Sequence, residues 1–264
     1  MRLGLEGKGA LVTGASAGLG LGAAHALVEE GASVVLCARG ESRLSAAVEA
    51  LSRMGRGKVS GIVGDVAVPA EPARIFRDAE RAAGPISILV ANAGGPKPGF
   101  LGDLSESDWE AAFHLTLMSA VRLAKAALPG MVERGWGRIV FITSVSVKQP
   151  IDGLLLSNTL RPGVVGFAKS LAREVGPRGV TVNCVCPGPY NTERIVEVLE
   201  RRAEKAGIDL EESRRRYLED VPAGRFGEPI ELGRAIAFLA STEAAFVNGV
   251  ALSVDGGSVK GLFG

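Results

Sequence analysis

The stretch Thr13-Gly14-Ala15-Ser16-Ala17-Gly18-Leu19-Gly20 sets three glycines between the apolar run Ala10-Leu11-Val12 and a helical pattern from Leu21 to Glu30. Glycines at 14, 18 and 20 permit a tight turn, a close approach of main chain to a pyrophosphate, and close packing of the helix on the strand before it. The first turn of the helix would offer free N–H groups to the anion. Strand, glycine loop and helix in this order are the context that makes such a triplet a dinucleotide-binding motif.

The spacing G-x-x-x-G-x-G resembles that of the short-chain dehydrogenase/reductase family, and other landmarks extend the resemblance over essentially the whole chain. They are Gly64-Asp65-Val66, Asn92-Ala93-Gly94, Pro187-Gly188 with Thr192 four residues on, Gly224-Arg225-Phe226-Gly227-Glu228-Pro229, and Ser253-Val254-Asp255-Gly256-Gly257. The resemblance implies a nicotinamide dinucleotide whose pyrophosphate meets Gly14, Ser16, Ala17, Gly18, Leu19 and Gly20. It implies that Asp65 and Val66 meet the adenine, that Asn92, Ala93 and Gly94 border the site, and that Pro187, Gly188 and Thr192 hold the carboxamide. At the adenosine ribose stand Ala38 and Arg39, within Cys37-Ala38-Arg39-Gly40, where NAD-preferring members carry an Asp. A carboxylate there accepts from both ribose hydroxyls, whereas a guanidinium pairs with a 2′-phosphate in a fork. Arg39, helped by Arg43, therefore points to NADP(H) ahead of NAD(H), although Ala17 occupies a glycine-loop position where many NADP-preferring members have a basic residue.

Members of the family interconvert carbonyls and alcohols with a Ser that polarises the oxygen, a Tyr that donates the proton, and a Lys that lowers the pKa of the Tyr. Ser144, in Thr143-Ser144-Val145-Ser146, matches the serine. Thirteen residues on, Y-x-x-x-K has become Ser157-Asn158-Thr159-Leu160-Arg161, and the supporting Asn, seven residues after Trp109, has become Thr116. A serine hydroxyl ionises well above the phenol value of about 10. Arg161 keeps a positive charge but moves no proton. Substitute acids are Tyr190, directly after Pro187-Gly188-Pro189, and Lys148, four residues after Ser144, with Lys97 expected at the same cleft edge. Pro162 disturbs the helix that carries Ser157 and Arg161. That helix either starts as late as Thr159, keeping Pro162 in its first turn, or kinks.

The elements that position these groups read as alternating strands and helices. Short apolar runs near 9–13, 33–37, 58–63, 86–91, 137–143, 179–185 and 249–254 read as strands. Helical periods lie near 18–30, 41–54, 70–83, 106–134, 154–175 and 228–240. Near-continuous apolar strands separated by helices predict a parallel sheet covered on both faces. The expected fold is thus α/β: one Rossmann domain over residues 1–264, doubly wound around a mostly parallel seven-stranded sheet. Residues 191–219, rich in Arg and Glu, interrupt the rhythm and predict two short amphipathic helices forming a substrate lid.

Bulk composition narrows the function classes. Thirty basic and 29 acidic side chains give a net charge of +1, which offers no general attraction to nucleic acid or an anionic membrane. The apolar runs are broken short of the roughly 20 residues of a bilayer span and no signal-peptide pattern is present, so a cytoplasmic protein is expected. Cys184 and Cys186, spaced i, i+2, suit one face of a strand rather than a disulfide, and no metal-ligand spacing occurs. His25 and His114 lie in helical patterns, as surface or packing residues. The expected function is an NADP(H)-dependent oxidoreductase similar to 3-oxoacyl-acyl-carrier-protein reductases, acting on a small-molecule or acyl-carrier-bound substrate. Alternatives are a dinucleotide-binding module without redox catalysis, and a non-redox enzyme in which Arg161 grips a carboxylate. Small residues along 106–134 and 154–175 resemble pairing faces of the family and imply a homotetramer.

Overall fold

The computed structural model describes residues 2–262. Its strands are β1 (Gly9–Thr13), β2 (Ser33–Ala38), β3 (Val59–Val63), β4 (Ile86–Ala91), β5 (Gly137–Ile142), β6 (Val180–Pro187) and β7 (Ala251–Val254). They form one sheet in the order β3-β2-β1-β4-β5-β6-β7. Every pairing is parallel. The sheet is thus wholly rather than mostly parallel.

Side chains on successive strand residues point to opposite faces. Ala10, Val12, Val34, Leu36, Ile88 and Val90 pack on one side against α1 (Gly18–Glu29), α2 (Glu41–Ser52) and α9 (Pro229–Leu239). Leu11, Val35, Cys37, Leu89 and Ala91 pack on the other against α3 (Glu71–Ala83), α5 (Ser119–Glu133) and α6 (Leu155–Val175). Both faces are dry, which explains the unbroken apolar runs. Strand order reverses between β1 and β4, and at such a switch point the carboxyl ends of the strands leave a crevice for ligands.

Two elements depart from their sequence reading. The helix expected over 106–134 is α4 (Glu106–Ala112), a π-helical turn (Phe113–Met118) and α5 in unbroken succession. Glu106–Glu133 includes an 18-residue window of mean hydropathy 1.3, apolar enough for a membrane by composition. Here Leu123, Ala124, Ala127 and Met131 bury that helix against the sheet. As the period over 154–175 predicted, α6 starts at Leu155, which rules out the later start and leaves Pro162 inside the helix. Its ring faces solvent, where the missing N–H and the carbonyl it leaves unbonded are least costly. Finally, β7 begins two residues later than expected, at Ala251.

The 191–219 excursion folds as the two expected helices, α7 (Glu193–Ala206) and α8 (Leu210–Leu218). Ile195 and Leu199 of α7 join Phe226 in a small core of their own, with Tyr217 and Leu218 against it.

Candidate active site

The carboxyl ends of the strands open into a cleft of about 1470 Å³. Its floor begins at the glycine loop. Gly14 and Gly18 have φ of 58° and 55°, a conformation that side chains disfavour. A Cβ on Gly20 would collide with the carbonyl oxygen of Gly14, so this glycine lets α1 pack on the loop rather than lining the cleft. The first turn of α1 has no side-chain cap and no acidic residue. Uncapped N–H groups at a helix N-terminus without a nearby carboxylate suit a pyrophosphate.

A pair of side chains holds this loop to its neighbour. Thr13 Oγ1 donates to the Asn92 carbonyl (2.7 Å) and accepts from the Asn92 N–H (2.9 Å). Asn92 Nδ2 donates to the Gly14 carbonyl at 3.1 Å. The ends of β1 and β4 are thereby fastened where the sheet order reverses. Thr13 was not among the residues singled out from sequence, since a threonine ending a strand carries no signal by itself.

Gly14, Ser16, Ala17, Gly18, Leu19, Ala38, Arg39, Asp65, Val66, Asn92, Ala93, Gly94, Pro187, Gly188 and Thr192 all line this one cleft. Arg39 is exposed, and among the described residues it has no ion-pair partner. Arg43 is already paired, its Nη1 lying 2.8 Å from Glu193 Oε2 at the start of α7. Asp65 Oδ1 accepts the Ala67 N–H at 2.9 Å, shaping the turn after β3. Gly188 donates its N–H to the Val254 carbonyl at 3.2 Å, which fixes the end of β6 beside β7. Residues of this kind fit an NADP(H) molecule: an uncapped helix end for two phosphates, a free guanidinium for a third, and open space above Gly94.

At the other end of the cleft three serines meet. Ser144 Oγ accepts the Ser146 N–H at 3.1 Å, and Ser146 Oγ lies 3.0 Å from Ser157 Oγ. Ser146 and Ser157 are buried. One turn along α6, Arg161 Nη1 donates to the carbonyls of Thr143 (2.6 Å) and Ile142 (3.2 Å), at the end of β5. Burial, and then the like charge of Arg194, push the Arg161 guanidinium down to about 10, so it remains charged at neutral pH. Beneath Arg161 lies an enclosure of about 20 Å³, room for one water, bordered by Asn92, Thr116 and Thr143. Thr116 Oγ1 is buried there without a protein partner. The π-helical turn is what aims Thr116 at this point.

Of the substitute acids and Lys97, only Tyr190 lines the cleft. Tyr190 borders the cleft, but its hydroxyl donates to the Val254 carbonyl at 2.9 Å and its ring packs over Gly227. Burial, with Glu231 and Asp255 adding to it, pushes the phenol well above its usual value. That hydrogen bond ties the phenol to β7. Lys148 follows the short 3₁₀ turn Val145–Val147 and is not part of the cleft wall. Lys97 is likewise tied elsewhere, to Asp108 at 2.8 Å. The residue missed at this end is Arg194, whose Nη2 donates to the Pro96 carbonyl at 3.2 Å. It sits in the Arg-rich 191–219 segment, where sequence alone does not tell a cleft arginine from a solvated one.

The three cysteines are free and buried, and His25 and His114 make only helix-local contacts, with Glu29 and with Arg122.

Comparison with known proteins decides the family. The family model described as enoyl-(acyl carrier protein) reductase matches residues 14–259. A 3-oxoacyl-[acyl-carrier-protein] reductase of Vibrio cholerae is 39% identical over 253 residues, 96% of this chain and 98% of that protein. The chain belongs to the short-chain dehydrogenase/reductase family. A D-beta-hydroxybutyrate dehydrogenase of Cupriavidus necator is 37% identical over 263 residues, covering 97% of this chain and 99% of its own length. Among solved structures, the L-sorbose reductase of Gluconobacter frateurii in complex with NADPH and L-sorbose superposes with a TM-score of 0.94. It is 33% identical over 99% of this chain and 100% of the other. On α6 of this short-chain dehydrogenase/reductase, Ser157 and Arg161 stand one turn apart at the two positions where the resemblance implies a Tyr and a Lys.

Proposed function

We propose that this protein is an NADPH-dependent reductase of a carbonyl compound, in which serine hydroxyls and a fixed guanidinium replace the family's phenol and ammonium. The observation that carries this reading is the cleft itself. It joins the uncapped α1 N-terminus and free Arg39 at one end to the Ser144-Ser146-Ser157 cluster and Arg161 at the other. When bound, NADPH supplies the hydride. Ser144 and Ser157 would hydrogen-bond the substrate oxygen. Arg161, held by two main-chain carbonyls, would favour the negative charge that develops on that oxygen, at no cost of reorganisation. Without a phenol the proton would come from water in the cleft by way of Ser157, whose hydroxyl Ser146 holds in place.

The substrate, a small oxo compound or a 3-oxoacyl group on a carrier, would enter beneath α7 and α8, which serve as a lid packed on their own small core. We read the protein as cytoplasmic, in keeping with three free buried thiols. We read its assembly as a homotetramer paired through α5 and α6, the latter exposing Gly163 and Gly166.

NADPH binding should be titrated by fluorescence, and NADPH oxidation followed with 3-oxoacyl thioesters, keto sugars and diketones. Turnover on one class supports the reductase; tight binding without turnover favours a binding module that has lost redox catalysis, for which the loss of both Tyr and Lys speaks. Absence of NADPH binding removes both.

A further inference from the structure

Two guanidinium groups converge on the reacting end of the cleft. Arg161 is pinned to the carbonyls of Ile142 and Thr143 at the end of β5. Arg194 is pinned to the Pro96 carbonyl in the loop that follows β4, and lies so close over Gly95 that a Cβ there would sit 2.7 Å from its Cζ. Arg161 borders the small enclosure together with Asn92, Ala93 and Gly94, and Arg194 lies against Gly95, the next residue, so both side chains approach the same loop after β4. Each guanidinium uses one terminal nitrogen on main-chain oxygen and keeps its other donors.

Among the described residues neither has a carboxylate within ion-pair distance. Of the cleft's acids, Glu193 is engaged on Arg43, Asp220 on Lys260 and Asp103 on the Phe100 N–H, while Asp152 makes no ion pair with either arginine. Glu197, one turn beyond Arg194 on α7, makes no ion pair with it. Two like charges facing one cleft, neither of them ion-paired, cost free energy that an anionic ligand would recover. The influence of Arg194 on Arg161 agrees with their closeness.

We propose that Arg161 and Arg194 form a clamp for a carboxylate carried by the substrate, so that the reductase acts on free oxo acids rather than on neutral ketones, sugars or thioesters. This rests on the reading of the cleft as a reductase site. The carboxylate would bridge the guanidiniums, one from β5's end and one from α7, placing the neighbouring carbonyl at Ser144 and Ser157. Because Arg194 belongs to α7, the same ion pair would draw the lid onto the substrate. The cofactor's phosphates are the other anions that could meet Arg194, and the test separates the two.

Binding of acetoacetate and of its ethyl ester should be measured by calorimetry on the free protein and on the complex with NADP⁺, for the wild type and for Arg194→Met and Gly95→Val. The expected result is that the acid binds roughly tenfold or more tightly than the ester, a charge-assisted pair being worth that much. That preference should shrink to near unity in Arg194→Met. Gly95→Val, which pushes on the guanidinium while leaving its charge, should weaken the acid and spare the ester. NADPH affinity, titrated separately in each variant, should stay within about twofold of wild type. Equal binding of acid and ester by the wild type, or no binding of either, would overturn the clamp. So would an Arg194→Met variant that loses NADPH and keeps the acid preference, since Arg194 would then be a phosphate ligand. Failure of NADPH to bind the wild type sinks the reductase reading instead, and it leaves the acid-against-ester comparison on the free protein intact.

Discussion

Arg43 and Glu193 meet across the mouth of the cleft at 2.8 Å, joining the first turn of α2 to the first residue of α7. Both side chains are about two-thirds exposed, at 66% and 71%, so the pair adds little to folding stability. Its interest lies in position: one partner stands beside Arg39, and the other begins the helix that covers the substrate.

Arg39, which has no competing acid, is expected to select the cofactor. Arg39→Ala should lower NADPH affinity roughly tenfold to a hundredfold, the range for losing a charge-assisted contact, and leave NADH affinity near its starting value. Glu193→Gln, which frees Arg43, should strengthen NADPH binding a few fold at low salt. Fluorescence titration with both cofactors reads the two effects, and an unchanged NADPH-to-NADH ratio in Arg39→Ala would assign selectivity to another group.

Replacing Ser157 by Tyr and Arg161 by Lys together restores the family's acid. Turnover on a 3-oxoacyl thioester should rise by roughly 10²–10⁴, the usual contribution of a positioned general acid, and a new limb should appear in the pH profile. The Ser146 hydroxyl would lose its partner, so the companion Ser146→Ala is included to relieve it. A triple variant that folds, binds NADPH and gains nothing would mean that the wild-type pocket was built for another reaction.

Tyr190→Phe should leave kcat within about twofold, because its hydroxyl serves the Val254 carbonyl and not the substrate. Removing that buried hydrogen bond should cost about 1 kcal/mol, or about 2 °C in Tm for a chain of this length. A loss of kcat larger than tenfold with Tm unchanged would return Tyr190 to the list of acids.

Burial pushes the Cys37 thiol up to about 12 and raises Cys184 and Cys186 as well. A thiol raised in the folded state holds its proton longer than the unfolded one, whose value is about 8.5. Stability is therefore full below about pH 8.5 and declines as pH climbs from there toward the folded value. At pH 8 a disulfide exchange reagent should label none of the three in the native protein, and labelling should follow the denaturant unfolding curve. Rapid labelling of one thiol without denaturant would reveal local opening around it.

The strands were legible because a parallel sheet buried on both faces leaves a plain apolar record, as in Ser33–Ala38 and Ile86–Ala91. The glycine loop was equally plain, its residue types being forced by backbone conformation at Gly14 and Gly18. Side-chain destinations were not. Tyr190 was placed near the nicotinamide by its neighbours in sequence, while its hydroxyl answers to β7, a partner 64 residues away. Lys97 was likewise taken by a partner outside its own loop, Asp108 of α4. Arg194 was hidden among exposed arginines, because only the fold brings α7 over the loop after β4. The period over 154–175 marked α6 correctly, but Pro162 left a start as late as Thr159 open, because locally it speaks against a helix interior and only the packing of Leu156, Val164 and Ala168 outweighs it.

The π-helical turn Phe113–Met118 holds one residue more than an α-helix would need to cover the same rise. Each residue in an α-helix turns the chain by about 100°. Removing one residue from this turn would let α4 and α5 join as a regular helix with both flanks in place, and it would change which residue faces the enclosure under Arg161. What looks into that small chamber is thus governed by chain length as much as by residue identity. Two relatives with the same letters along this helix, differing by a single deletion, would present different groups to the same water.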